Sequence, residues 1–268
     1  MRILMFVRKT IVAALVLASC APVAAPARPE APAAVPVPPP ALQATTPETV
    51  GSAPCGVASA GLMPVEMTCV EVVRRDLDGD GWPDALVILA DAKSLEPGGG
   101  EGWRARVALA TGATYEVGFA AEPTLSGRSM IRGFVDVDRD GRDEALIELG
   151  RGASTEMVGV FGLGRSGLTQ ATYQDGTKAR LLFAGSVRHG AAVECRSQAG
   201  RAELVMRGIS NYTADDQWDW SESVYTWSAK VLVLSSQRKG SIKVAHPFDP
   251  PPNEEAYWSF RCFGLNFD

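Results

Sequence analysis

Two nine-residue stretches concentrate the oxygen chemistry of this chain. Residues 76–84 read DLDGDGWPD and residues 136–144 read DVDRDGRDE. Each has Asp at positions one, three and five, Gly at six and an acid at nine. Alternate side chains turned inward from such a loop aim hard oxygen donors at one point. Gly at six permits the left-handed backbone that wraps the chain around that point. Calcium, which takes six to eight oxygens at about 2.3–2.6 Å, suits the donor set. The expected ligands are Asp76, Asp78, Asp80, the Trp82 carbonyl and Asp84 in the first loop. In the second they are Asp136, Asp138, Asp140, the Arg142 carbonyl and Glu144, with Asp143 expected to point away. Magnesium demands a tighter octahedron and retains its waters. Zinc favours His or Cys, and neither loop has one. The expected cofactor is therefore calcium, at two sites. Without a cation, each pair of like charges at ~4 Å costs about 1–4 kcal/mol, so an ion should stabilise the fold.

An EF-hand begins the same way, but it needs Glu at position twelve and flanking helices. Position twelve is Val87 in one loop and Ile147 in the other, and the runs ALVILA and ALIELG that follow predict strands. A third stretch, CRSQAGRAE at 195–203, keeps Gly200 at six and Glu203 at nine and leads into LVMRGI. Cys195, Ser197 and Ala199 stand there in place of ligands. This spacing defines repeats at about 65–125, 126–185 and 186–268. Between the loops, Trp103, Ala105, Val107 and Leu109 alternate with Arg104 and Arg106, as a half-buried strand requires. TYEVGF (114–119), MVGVFGL (157–163) and LTQATY (168–173) also predict strands. The third repeat predicts a strand over 224–236, a turn near Lys239-Gly240 and a strand over 241–245. Together these predict an all-β chain of three propeller-blade-like antiparallel repeats, an open or incomplete β-propeller. The tail YWSFRCFGL (257–265) is expected to add a closing strand.

In the segments DLDGDGWPDALVIL and DVDRDGRDEALIEL the chain resembles FG-GAP/VCBS-type repeats, the family that includes the integrin α-chain propeller. The resemblance implies that each loop connects two strands of a blade and binds one calcium. It does not fix a function, because that family includes adhesins, enzyme accessory domains and structural proteins.

The N-terminal region predicts export. Arg8 and Lys9 precede the apolar run Ile11–Ala18, of signal-peptide length. Leu17-Ala18-Ser19-Cys20 resembles the lipobox of bacterial lipoproteins. Residues 1–19 are thus expected to be a lipoprotein signal peptide and Cys20 the lipidated residue, holding the protein at the outer face of a bacterial membrane. Residues 21–50 hold nine Pro and nine Ala, a composition that favours an extended stalk over a core. The folded domain is expected over 51–268. Its remaining cysteines, Cys55, Cys69, Cys195 and Cys262, suggest two disulfides in an exported protein. Of the three pairings, Cys55–Cys69 and Cys195–Cys262 are expected. A net charge of −5 excludes sequence-independent nucleic-acid binding, which needs a basic footprint.

Little else in the sequence carries chemistry. His189 and His246 have no Ser-centred elbow or metal-ligand pair beside them, and the Ser154 turn has no evident base. In NYTADDQWDWSESVYTW (211–227), Trp218, Trp220, Tyr225 and Trp227 lie among Asp215, Asp216, Asp219 and Glu222. The stretch reads either as an aromatic cap on the core or as a sugar- or peptide-binding patch. The expected function is a non-catalytic binding or scaffold module with structural calcium, meeting a surface protein or a glycan. The alternative is a carbohydrate- or peptidoglycan-acting enzyme, or a glycan-binding domain, using Trp218–Trp227.

Overall fold

The computed structural model describes residues 66–96, 100–122 and 129–267. The leader, Cys20, the stalk and Cys55 lie outside these residues, and so do the expectations placed on them. Two sheets and no α-helix make up the described residues, as the all-β reading expects.

The first sheet is a four-stranded antiparallel meander: β1 (Thr68–Arg75), β2 (Asp84–Ala90), β3 (Trp103–Ala108) and β4 (Thr114–Phe119). Its alternation follows the sequence. Trp103, Ala105 and Val107 point into the core, while Arg104 and Arg106 reach Glu116 across the β3–β4 pair. Such cross-strand pairs stabilise one face of a sheet by about 0.2–1 kcal/mol each.

The second sheet has twelve strands. They are β5 (Ile131–Val135), β6 (Glu144–Arg151), β7 (Thr155–Gly164), β8 (Gly167–Gln170), β9 (Thr172–Tyr173) and β10 (Leu181–Ser186). Then come β11 (His189–Gln198), β12 (Arg201–Ala214), β13 (Gln217–Ser228), β14 (Val231–Lys243), β15 (Phe260–Cys262) and β16 (Leu265–Phe267). The main path runs β5-β6-β7-β10-β11-β12-β13-β14-β9, and neither sheet closes. The strands therefore do not divide into three four-stranded units. The expected boundary at 185–186 falls at the end of β10. There a hairpin pairs Ser186 with His189 and carries the hydrogen-bond ladder from the second repeat into the third.

At 195–203, where the ligands are replaced, β11 and β12 run through the stretch and reverse at Ala199-Gly200, with φ of 49° and 77°. Gly200 serves a two-residue hairpin turn, which needs positive φ at both positions. One further expectation is corrected: the chain does not turn at Lys239-Gly240, which lies inside β14. The reversal comes at Ala229-Lys230, with φ of 49° and 66°, between the paired Ser228 and Val231. Gly240 instead makes room for a neighbour, since a Cβ there would sit 3.0 Å from the Trp220 ring.

The core has two parts. One packs the first sheet, through Leu86, Ile88, Trp103 and Phe119, against Ile147, Leu149 and Phe161. The other packs Val135, Val137, Leu146 and Val160 against Leu181, Leu204, Leu232 and Phe260. Strand β6 contributes to both, so its apolar run is continuous rather than alternating. Each such fully buried side chain stabilises the fold by about 1.5–3 kcal/mol. The sheets are also tied by Glu71 on β1, which is buried. Its carboxylate accepts the Met130 and Ile131 amides at 2.7 and 3.2 Å. The tail forms β15 and β16. β15 runs parallel to β11, and the Cys195–Cys262 disulfide joins them with 4.4 Å between Cα atoms. Cys69 lies on β1.

Candidate metal centre

The first acidic loop connects β1 to β2, and the second connects β5 to β6. Strands flank both, as the absence of an acid at position twelve requires. Each loop is folded by its own carboxylates. Asp76 accepts the amides of Gly79 and Gly81 at 2.8 and 2.9 Å, Asp78 that of Asp80 at 3.1 Å, and Asp80 that of Trp82 at 2.7 Å. In the second loop Asp136 accepts Asp140 and Gly141, both at 3.0 Å, Asp138 accepts Asp140 at 3.3 Å, and Asp140 accepts Arg142 at 3.0 Å. The position-six glycines take nearly the same left-handed backbone, φ 87° at Gly81 and 89° at Gly141. An L side chain there would be strained.

Position nine anchors each loop from below. Asp84 is buried and accepts the amides of Leu77 and Ala110, both at 2.9 Å. Glu144 is fully buried and accepts the Val137 amide at 2.9 Å. Three acids per loop converge: Asp76, Asp78 and Asp84 in one, Asp136, Asp138 and Glu144 in the other. In each trio one oxygen per residue lies within 4.8 Å of the others. That span is about twice a calcium–oxygen bond length, so either trio could hold a metal ion. Of the five donors expected per loop, three carboxylates converge in each. Asp80 and Asp140 stay at the exposed rim, and so do Trp82 and Arg142, whose amides donate to them. Burial raises Asp78 above the usual carboxylate range, and Asp84, Asp80 and Asp76 push the same way. Burial likewise raises Asp136, helped by Asp138 and Asp140.

The loops lie side by side. A Cβ on Gly79 would be 3.4 Å from the Gly141 carbonyl. Asp143, expected to point away, turns to the first loop's strand and accepts both Arg75 Nε and Nη2, at 2.8 and 2.6 Å.

The residue that sequence reasoning missed is Lys230. Its Nζ donates to Asp138 at 2.8 Å, Asp140 at 3.1 Å and Glu144 Oε1 at 2.5 Å, and its side chain is 8% exposed. Burial pushes Glu144 up to about 8, against the pull of Lys230. Burial would lower Lys230, but Glu144 and Asp138 outweigh it and hold the ammonium above the ordinary lysine range. With both groups raised and the lysine the higher, the ammonium keeps its proton. Geometry decides for an ammonium facing a carboxylate, because both Glu144 oxygens accept: Oε1 from Nζ and Oε2 from the Val137 amide. The one available signal was the small, polar Ser228-Ala229-Lys230 cluster, which marks a turn.

Elsewhere, His189 stands at the start of β11 among hydroxyls. Its Nε2 lies 3.2 Å from Thr155 Oγ1 and 3.5 Å from Ser154 Oγ; its Nδ1 lies 2.8 Å from Ser186 Oγ and 2.9 Å from Tyr212 Oη. His246 lies in a turn, its amide donating to Asp249. In the aromatic stretch Trp218 is buried, Trp220, Tyr225 and Trp227 are half-buried, and Tyr212 is exposed. Trp218 is buried edge-on to Trp258 and donates to the Asp249 carbonyl, and Tyr225 meets Tyr173. Asp219 accepts from Thr213 and Gln217, and Glu222 pairs with Arg207 and Arg238. Strand parity puts Asp219 and Glu222 on opposite faces of β13.

Comparison of the chain with models of known families, with curated proteins and with solved structures gave no match.

Proposed function

We propose that this chain is a calcium-stabilised, non-catalytic β-module, exported as a lipoprotein and carried on a Pro/Ala stalk at the outer face of a bacterial membrane. There it acts as a scaffold or binds a surface protein or a glycan. One observation carries the reading: two loops distant in sequence converge on the same hydrogen-bonded frame and each gathers a trio of carboxylates within 4.8 Å. The flanking strands and the resemblance of these loops to FG-GAP/VCBS repeats support calcium as the ion. The lipobox-like Leu17-Ala18-Ser19-Cys20 supports the anchor. The ion's role is to neutralise the acids around it and fix the loop that binds it as a rigid joint between consecutive strands. Thermal unfolding of the exported chain in millimolar calcium and in chelator tests this. A higher melting temperature with calcium is expected, and superimposable curves would defeat the reading. Retention in the membrane fraction, lost in Cys20→Ser, tests the anchor.

A further inference from the structure

The two loops match in sequence pattern and in backbone, but among the described residues only the second holds a cation of the protein's own. We infer that Lys230 is a built-in competitor for the second loop, so that this loop is closed to divalent ions while the first is open. The inference deepens the calcium reading and rests on it.

Four features of the chain converge on this assignment. First, the Lys230 ammonium reaches three of the second loop's carboxylates, Asp138, Asp140 and Glu144, and two of these, Asp138 and Glu144, belong to the converging trio. An ion bound by the same oxygens would sit within a few ångströms of Nζ, and two cations so close repel strongly. Second, position nine differs between the loops. Asp84 spends its second oxygen on the Ala110 amide, whereas Glu144, one methylene longer, extends Oε1 to Nζ. Third, the neighbouring strand leaves space for the pair. A Cβ at Gly162 on β7 would lie 2.9 Å from Glu144 Cγ and 3.1 Å from Lys230 Cε. Fourth, Lys230 stands at φ 66° in the two-residue turn between β13 and β14, a backbone that L residues seldom adopt, and its side chain is buried. The first loop has no counterpart. Among the described residues none of its four aspartates pairs with a basic side chain. Its rim carries Gly79 and Trp82 where the second loop has Arg139 and Arg142.

Calorimetric titration of the exported chain with calcium chloride tests the assignment. The intact chain is expected to bind one calcium, and Lys230→Met is expected to bind two. Should Lys230→Met fail to fold, Asp78→Asn in an otherwise intact chain gives the same answer. It is expected to bind none, because the remaining loop is closed. Two calcium ions in the intact chain, one in Lys230→Met, or one left in Asp78→Asn would each overturn the inference while sparing the calcium reading. No calcium in the intact chain or in Lys230→Met would overturn both.

Discussion

The loops at 76–84 and 136–144 share a pattern, a glycine conformation and an amide-capping scheme, yet they balance their charge differently. In the first, burial and three neighbouring acids act on Asp78 with no basic partner beside it. In the second, an ammonium delivered from 86 residues away satisfies Glu144, and Arg75 takes Asp143. Local sequence can build an ion-binding frame. What fills the frame is decided by whatever the rest of the chain brings to its mouth. Among the described residues the second loop's acids meet an ammonium and the first loop's do not.

The largest effect that would sharpen this contrast is loss of the internal cation. Lys230→Met leaves the buried Glu144 without its partner, and breaking a buried pair costs about 3–5 kcal/mol. Urea unfolding in chelator is expected to show a loss of that order, partly restored by millimolar calcium; full stability without calcium would break the comparison. Next comes the ion itself. At a free calcium concentration 100 times the dissociation constant, a single site adds about 2.7 kcal/mol, or about 5–10 °C in a chain of this size. The shift is expected to vanish in Asp76→Asn and to persist in Asp136→Asn. Gly162→Ala follows: crowding Glu144 and Lys230 costs about 1–3 kcal/mol. Gly81→Ala, where space is open but φ is 87°, serves as the matching probe of the first loop, with a loss of about 1–2 kcal/mol.

The smallest effect concerns pH and separates the loops from the sheet faces. Burial opposes ionisation of Glu116 and Glu222. Their arginine partners, Arg104 and Arg106 for one and Arg238 and Arg207 for the other, prevail and leave both below the usual glutamate value of 4.5. A depressed native value means that the unfolded chain binds protons first. This contribution is therefore complete above pH 4.5 and disappears as pH falls through the native values. Glu116→Gln and Glu222→Gln are expected to flatten the acid limb of the stability profile, measured in chelator. An unchanged limb would overturn this assignment, because the raised loop acids Asp78, Asp136 and Glu144 act in the opposite sense.

The contrast between the loops also marks what the sequence could reveal. Both loop frames, and strands β2 and β6 after them, were legible because their donors and turn residues sit within nine positions of one another. The alternation of β3 was legible for the same local reason. Lys230 was not. Its partners lie 86 to 92 residues away, and the sequence reading placed it in mid-strand, since a turn was expected at Lys239-Gly240 instead. Gly200 and Gly240 differ in what they record. The first marks a hairpin turn. The second marks a space for an indole. Glycine identity records a steric demand without saying whether the demand comes from the backbone's own angles or from a neighbour. The first expected repeat coincides with the four-stranded sheet, while β10 and β11 pair across the boundary drawn between the second and third, so three separate blades are not confirmed.

Strand β6 has the second loop at one end, β5 and β7 on its two edges, and a core cluster against each face. Neither cluster can melt without uncovering it. The four-stranded and twelve-stranded sheets are therefore expected to unfold as one cooperative unit, with the amides of Leu146 and Ile147 exchanging with solvent at the rate of that global event. Glu144 is the first residue of this shared strand, so a change at the loop acts directly on the element that both clusters bury.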